Sequence, residues 1–254
     1  MELQGKHAVV TGGSRGIGAA IADSLSAAGA KVTIMGRNMP LLEEKAHEMQ
    51  NALAIQCDVT DEASVAKAFA LAAEGHGPVD ILVNNAGAAI SLPFRKIDKA
   101  HFQSMLEVNL IGPFLCTQAV LQEMIDKGAG RIINVASTAA LKGYSYVAAY
   151  SAAKHGVMGL TRSLALEVAG KGVTVNAVCP GFTETDIARD AIKNIMAKTG
   201  RTKEQAIAEL VVHNPQKRLI QPAEVAASVL WLCGDNAASI TGQAIAVAGG
   251  EVMS

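Results

Sequence analysis

The stretch His7-Ala8-Val9-Val10-Thr11-Gly12-Gly13-Ser14-Arg15-Gly16-Ile17-Gly18 decides the fold. A short apolar run leads directly into a glycine-rich loop, and a helical pattern follows over residues 17–28. Glycines at such a junction permit a tight turn and let backbone approach a pyrophosphate at a helix N-terminus. The loop takes its weight from this strand–loop–helix context. Its spacing is G-x-x-x-G-x-G, a departure from the common G-x-G-x-x-G pattern.

Outward from this stretch the chain alternates. Residues 7–11, 31–35, 52–57, 79–83, 131–136, 173–178 and 244–247 read as strands. Residues 17–28, 40–50, 61–74, 99–127, 148–169 and 222–233 read as helices. The strands are nearly continuously apolar, as in a parallel sheet covered on both faces. The pattern predicts an α/β fold: one doubly wound Rossmann domain over residues 1–254, with a seven-stranded parallel sheet. Residues 182–215 break the alternation with helical runs at 186–198 and 203–212. An insertion there, beyond a strand's carboxyl end, is predicted to be a helical lid over the substrate.

Bulk properties exclude several classes. The 254 residues carry 22 Lys+Arg against 23 Asp+Glu, so nothing points to nucleic acid. Cys57, Cys116, Cys179 and Cys233 are scattered, as buried small hydrophobes in a reducing compartment would be. None of the six histidines has a partner at metal-ligand spacing, and no metal is expected. The N-terminal segment lacks the features of a signal peptide. No uninterrupted apolar run approaches ~18 residues, so a cytoplasmic protein without a membrane span is expected.

Tyr150 and Lys154 lie one helical turn apart in Tyr150-Ser-Ala-Ala-Lys154. An unperturbed phenol titrates near ~10. An ammonium at ~4 Å and an effective dielectric of ~20 attracts a phenolate by about 4 kcal/mol, roughly three pKa units. The spacing alone recurs on many helices, but it predicts a tyrosine brought toward neutrality for general acid/base work.

TGGSRGIG (11–18), NNAG (84–87), Asn109 in VNLIG, Ser137 in INVAS, YSAAK (150–154), CPGF (179–182) and ITGQ (240–243) stand in a characteristic order and spacing. In these motifs the chain resembles the short-chain dehydrogenase/reductase family over essentially its whole length. The resemblance implies catalytic roles for four residues. Tyr150 exchanges a proton with the substrate oxygen, and Ser137 donates a hydrogen bond to it. Lys154 binds the nicotinamide ribose, and Asn109 positions a relay water. It also implies cofactor contacts from Gly12, Ser14, Arg15, Gly16, Ile17 and Gly18, from Asp58 and Val59, and from Asn85, Ala86 and Gly87. Tyr150, Lys154, Pro180, Gly181, Thr183 and Thr185 complete that set. NAD-preferring relatives carry an acid where Gly36 stands, and Arg37 follows at once. Arg37 and Arg15 are suited to gripping a 2′-phosphate, so NADP(H) is expected, with NAD(H) the alternative.

Leu141, Tyr144, Tyr146, Phe182 and Ile187 predict a mainly apolar substrate pocket. The chain resembles 3-oxoacyl-thioester and polyketide ketoreductases, and also 3-hydroxybutyrate-type dehydrogenases. The first expectation is a reductase of a 3-oxoacyl thioester or similar ketone. An NAD-linked catabolic alcohol dehydrogenase is the second, and a non-catalytic dinucleotide-binding regulator the third. Arg131 and Lys171 stand where carrier-protein reductases often carry basic residues. The resemblance also implies a homotetramer, and Ala248 departs from the acid many relatives carry there.

Overall fold

A computed structural model describes residues 3–253. The strands are β1 (His7–Thr11), β2 (Lys31–Gly36), β3 (Ala52–Gln56), β4 (Ile81–Asn84), β5 (Gly130–Val135), β6 (Val173–Pro180) and β7 (Ala244–Val247). They form one parallel sheet in the order β3-β2-β1-β4-β5-β6-β7. The α-helices are α1 (Gly16–Ala27), α2 (Met39–His47), α3 (Glu62–His76), α4 (Lys99–Leu106), α5 (Gly112–Lys127), α6 (Ala148–Val168), α7 (Asp186–Thr199), α8 (Lys203–Leu210) and α9 (Pro222–Cys233). The doubly wound α/β expectation is met.

Burial explains why the sheet has two covered faces. Ala8 and Val10 of β1 pack with Ile21 and Leu25 of α1, Leu42 of α2, and Val225 and Val229 of α9. Val9, between them, points the other way, into a core with Phe69 of α3, Val120 and Met124 of α5, and Val168 of α6. Strand side chains alternate by face, so a strand buried on both faces must be apolar throughout. The sequence direction reverses between β1 and β4. A crevice opens at such a switch point, outside the strands' carboxyl ends.

Two expectations need correction. The predicted helix 40–50 stops at His47, ahead of Asn51 in a left-handed conformation (φ 52°). The predicted helix 99–127 is α4 and α5 joined by a π-helical turn, Glu107–Ile111. Pro113 has no N–H to offer the carbonyl of Asn109, and the wider turn absorbs the break. The run Lys99–Lys127 is long and apolar enough by composition to cross a bilayer, a test that core helices also pass. In this fold its Met105, Cys116, Val120 and Met124 are buried. All four cysteines are buried and free.

Candidate active site

The ends of β1 and β4 are knitted together first. Thr11 Oγ1 accepts from the backbone N–H groups of Asn85 and Ala86, each at 3.0 Å. Asn85 Nδ2 donates back to the carbonyls of Thr11 (3.0 Å) and Gly12 (3.1 Å). Gly12 takes a φ of +65°, and a Cβ there would lie 2.9 Å from Asn85 Nδ2. A side chain on Gly18 would collide with the Gly12 carbonyl and the Asn85 amide. The corner therefore exists only with glycine at both positions. Ser14, Gly16 and Ile17 are partly buried beside it, and Arg15 is exposed.

The adenosine side follows from β2 and β3. Gly36 ends β2 without a carboxylate, and Arg37 is exposed immediately after it. The Asp58 carboxyl sits below its usual range, mainly because the Thr60 N–H donates to it, with the Arg37 charge adding to the effect. Val59 is buried. Thr185 places its methyl group against Gly16. The neighbouring Asp186 pairs with Arg15 at 3.5 Å, so the start of α7 meets the glycine loop. Pro180 ends β6; the N–H of Gly181 donates to Val247 O (3.1 Å) and Thr183 Oγ1 to Gly181 O (3.0 Å).

Ser137 follows β5. Its Oγ accepts from the N–H of Ala139 at 3.1 Å, which caps a short turn, Thr138–Ala140. That leaves the hydroxyl proton free to point outward. Tyr150 and Lys154 lie one turn apart on α6. Lys154 is 5% exposed and donates to Val135 O at 2.9 Å. A Cβ on Gly87 would lie 3.7 Å from Lys154 Nζ and 2.8 Å from Asn109 Oδ1. So Lys154, Asn109 and the β4 loop meet at one point. Asn109 is fully buried in the π turn. Its Nδ2 donates to Ala88 O (2.9 Å) and Met105 O (3.0 Å), and its Oδ1 accepts from Ala88 N (3.3 Å).

One electrostatic expectation is reversed. Burial pushes the Tyr150 phenol above its ordinary value, and the neighbouring Ser137 hydroxyl only partly counters this. Burial also pushes Lys154 down, to about 8. Nζ stands 5.7 Å from the Tyr150 ring centroid and donates to Val135 O. In the protein alone, the lysine does not make the phenol acidic.

Other tyrosines are set apart from this role. Tyr146 is exposed at a φ of 69°, and the Tyr144 hydroxyl is committed to Thr138 and Glu251. Arg131 lies at the N-terminal end of β5, bonded to Gly130 O and close to Asp235. A buried polar chain escaped the sequence reading. Asn84 Nδ2 donates to Thr117 Oγ1 (3.1 Å) and Asn134 Oδ1 (2.9 Å), and Asn134 Nδ2 donates to Thr161 Oγ1 (2.9 Å). It ties α5, β4, β5 and α6 together beneath the site.

The glycine cradle fits a dinucleotide, because its backbone approaches as closely as a Cβ-free loop allows. Comparison with known proteins agrees. A model of the short chain dehydrogenase family matches residues 6–195. The 3-oxoacyl-acyl-carrier-protein reductase FabG of Aquifex aeolicus (strain VF5) is 40% identical, over 98% of this chain and 98% of that protein. The D-beta-hydroxybutyrate dehydrogenase of Rhizobium meliloti (strain 1021) is 37% identical, over 96% and 98%. A crystal structure of a substituted actinorhodin polyketide ketoreductase with NADPH superimposes with a TM-score of 0.94 at 38% identity, covering 99% of each chain. The chain belongs to the short-chain dehydrogenase/reductase family and is an NAD(P)-dependent oxidoreductase acting between alcohols and carbonyl compounds.

Proposed function

We propose that the protein is an NADP(H)-dependent reductase of a 3-oxoacyl thioester or a similar ketone. One observation carries the reading: Lys154 reaches the Gly87–Asn109 corner of the cofactor crevice while the same helix presents Tyr150 beside Ser137. A bound nicotinamide dinucleotide supplies the hydride and, when oxidised, a positive ring charge. The chain's residues do the rest. Ser137 donates to the carbonyl oxygen and orients it. Tyr150 delivers the proton to that oxygen as it becomes an alkoxide. Lys154, pushed down to about 8, would hold the ribose hydroxyls of a bound dinucleotide and stands on the same helix as Tyr150, where it can resupply a proton. Asn109, held in the π turn near Lys154, positions a water that links Lys154 to solvent.

Burial raises the Tyr150 pKa, so the phenol needs added positive charge before it works as a base. In the reverse, alcohol-oxidising direction a bound oxidised cofactor would supply that charge; in ketone reduction the protonated phenol is already the donor. As a base, Tyr150 would thus be enabled by the oxidised cofactor rather than by Lys154 alone. NADP(H) is favoured by Gly36 and by exposed Arg37 and Arg15. Each guanidinium on a 2′-phosphate is worth about 1.5–3 kcal/mol, or roughly tenfold to a hundredfold. Thr183, Thr185, Pro180 and Gly181 hold the nicotinamide side, and α7 with α8 covers the substrate. The residues together form one catalytic domain, and soluble homotetramers are the working form.

Initial rates with acetoacetyl-coenzyme A test this. The expected result is reduction with NADPH at a kcat/KM at least tenfold above that with NADH. Preference for NADH would overturn the cofactor assignment, and inactivity across a panel of 3-oxoacyl thioesters would overturn the substrate class.

A further inference from the structure

Glu251 lies past β7, outside every motif, yet its side chain is only 4% exposed. Its Oε1 accepts from the Tyr144 hydroxyl at 2.6 Å and pairs with Lys142 Nζ at 3.1 Å. Its Oε2 faces the end of β6, where a Cβ on Gly181 would lie 3.2 Å away. The Tyr144 oxygen is also 2.7 Å from Thr138 Oγ1. A phenol has one proton, and an ionised carboxylate only accepts. So Tyr144 donates to Glu251, and Thr138 donates to Tyr144. Lys142 stands 4.8 Å from the Tyr144 ring centroid and braces the charged end. Thr138 opens the turn whose second residue, Ala139, donates its N–H to Ser137 Oγ. A hydrogen-bonded chain therefore runs from the C-terminal segment to the residue next to Ser137.

A buried carboxylate is costly unless it is paired and hydrogen-bonded. Here the pairing spans two loops, at the carboxyl ends of β5 and β7. We propose that Glu251 is a positioning residue: through Tyr144 and Thr138 it fixes the turn that carries Ser137, and so the place of the substrate oxygen. This rests on the reading of Ser137 as donor to that oxygen. A displacement of about 1 Å at a reacting group can cost on the order of a hundredfold in rate.

The test uses Glu251→Ala, Glu251→Gln, Tyr144→Phe and the Tyr144→Phe/Glu251→Ala double variant. The readouts are kcat on acetoacetyl-coenzyme A, the NADPH Kd from cofactor fluorescence, and Tm. Glu251→Ala and Tyr144→Phe are each expected to lower kcat by about tenfold to a hundredfold, with the NADPH Kd moving less than about threefold. The double variant should be no worse than the poorer single, because both cut one chain. Glu251→Gln keeps an oxygen for Tyr144 and should recover most of the loss. The inference is overturned if either single keeps kcat within about twofold of the parent, if the two losses multiply, or if NADPH affinity falls in step with kcat. A parent protein that turns over no ketone overturns the functional reading first, and this inference with it.

Discussion

The wall from Ser137 to Lys154 and the pair α7–α8 border the same crevice but are built on opposite terms. In the wall, Thr138, Ala139, Ala140 and Lys154 are buried, and the polar atoms of Ser137, Tyr144 and Lys154 have named partners. The helical pair has a small core of its own, Ile192, Ala206, Val211 and Leu219. It leaves Ile187, Met196 and Val212 exposed. Its polar link to the glycine loop is the Arg15–Asp186 pair, exposed on both sides, and such pairs are worth about 0–1 kcal/mol. The difference separates two tasks. The wall holds its chemistry before substrate arrives, at a cost in buried charge. On the proposed function, the cover keeps apolar surface in reserve, to be buried when an acyl chain binds.

The sharpest way to break this comparison is at the wall. Tyr150→Phe removes one oxygen and should lower kcat by roughly a hundredfold to ten-thousandfold, the span of general acid/base catalysis. NADPH binding, measured by fluorescence, should persist. A loss below tenfold would show that another group moves the proton.

Lys154→Met tests what the buried charge costs. With Lys154 pushed from 10.5 to about 8, its burial opposes folding by ~3 kcal/mol wherever the lysine is charged in both states. Below about pH 8 that cost is felt in full. Between pH 8 and 10.5 the unfolded chain keeps a proton that the folded chain sheds, so the parent gains stability as pH rises through this window. After allowing about 1 kcal/mol for the lost bond to Val135, the variant should be inactive yet more stable at pH 7. The gain is about 2 kcal/mol, or roughly 4–8 °C in Tm. Its advantage should shrink from pH 8 to 10.5 in melting experiments. A variant less stable than the parent at pH 7 would contradict the account.

The smallest effects belong to the cover. Ile187→Ser should raise the KM for a long-chain 3-oxoacyl thioester about five- to twelvefold, as expected for about 1–1.5 kcal/mol of apolar contact. Tm should move by under about 2 °C, because the side chain is exposed in the free protein. A large stability loss with no change in KM would make the pair a packing element only.

Much of this was legible in local order. The apolar run ending at Thr11, the glycines behind it and the alternation of strands and helices announced the sheet and its crevice. Ser137, Tyr150 and Lys154 were placed by motif and helical spacing. What escaped depends on contacts between distant positions. Asn84 meets Asn134, 50 residues on, and Tyr144 meets Glu251, 107 residues on. No periodicity reports such pairs. Ala248 stands out against a family pattern, while the carboxylate three residues later belongs to no motif. The π turn at Asn109 did leave a signal, Pro113 inside a helical run. Helical spacing put Lys154 on the face of Tyr150, but could not tell that its ammonium would turn to Val135 and that burial would dominate both groups.

The most direct test is a titration of the Tyr150 phenol by ultraviolet difference absorbance, parent minus Tyr150→Phe, with and without NADP+. Without the cofactor the phenol should titrate above the ordinary ~10, as burial demands. With NADP+ bound it should fall by at least about two units, the electrostatic work expected of one nearby positive charge. A phenol already acidic in the free protein, or one unmoved by NADP+, would contradict the claim that the oxidised cofactor enables Tyr150 as a base.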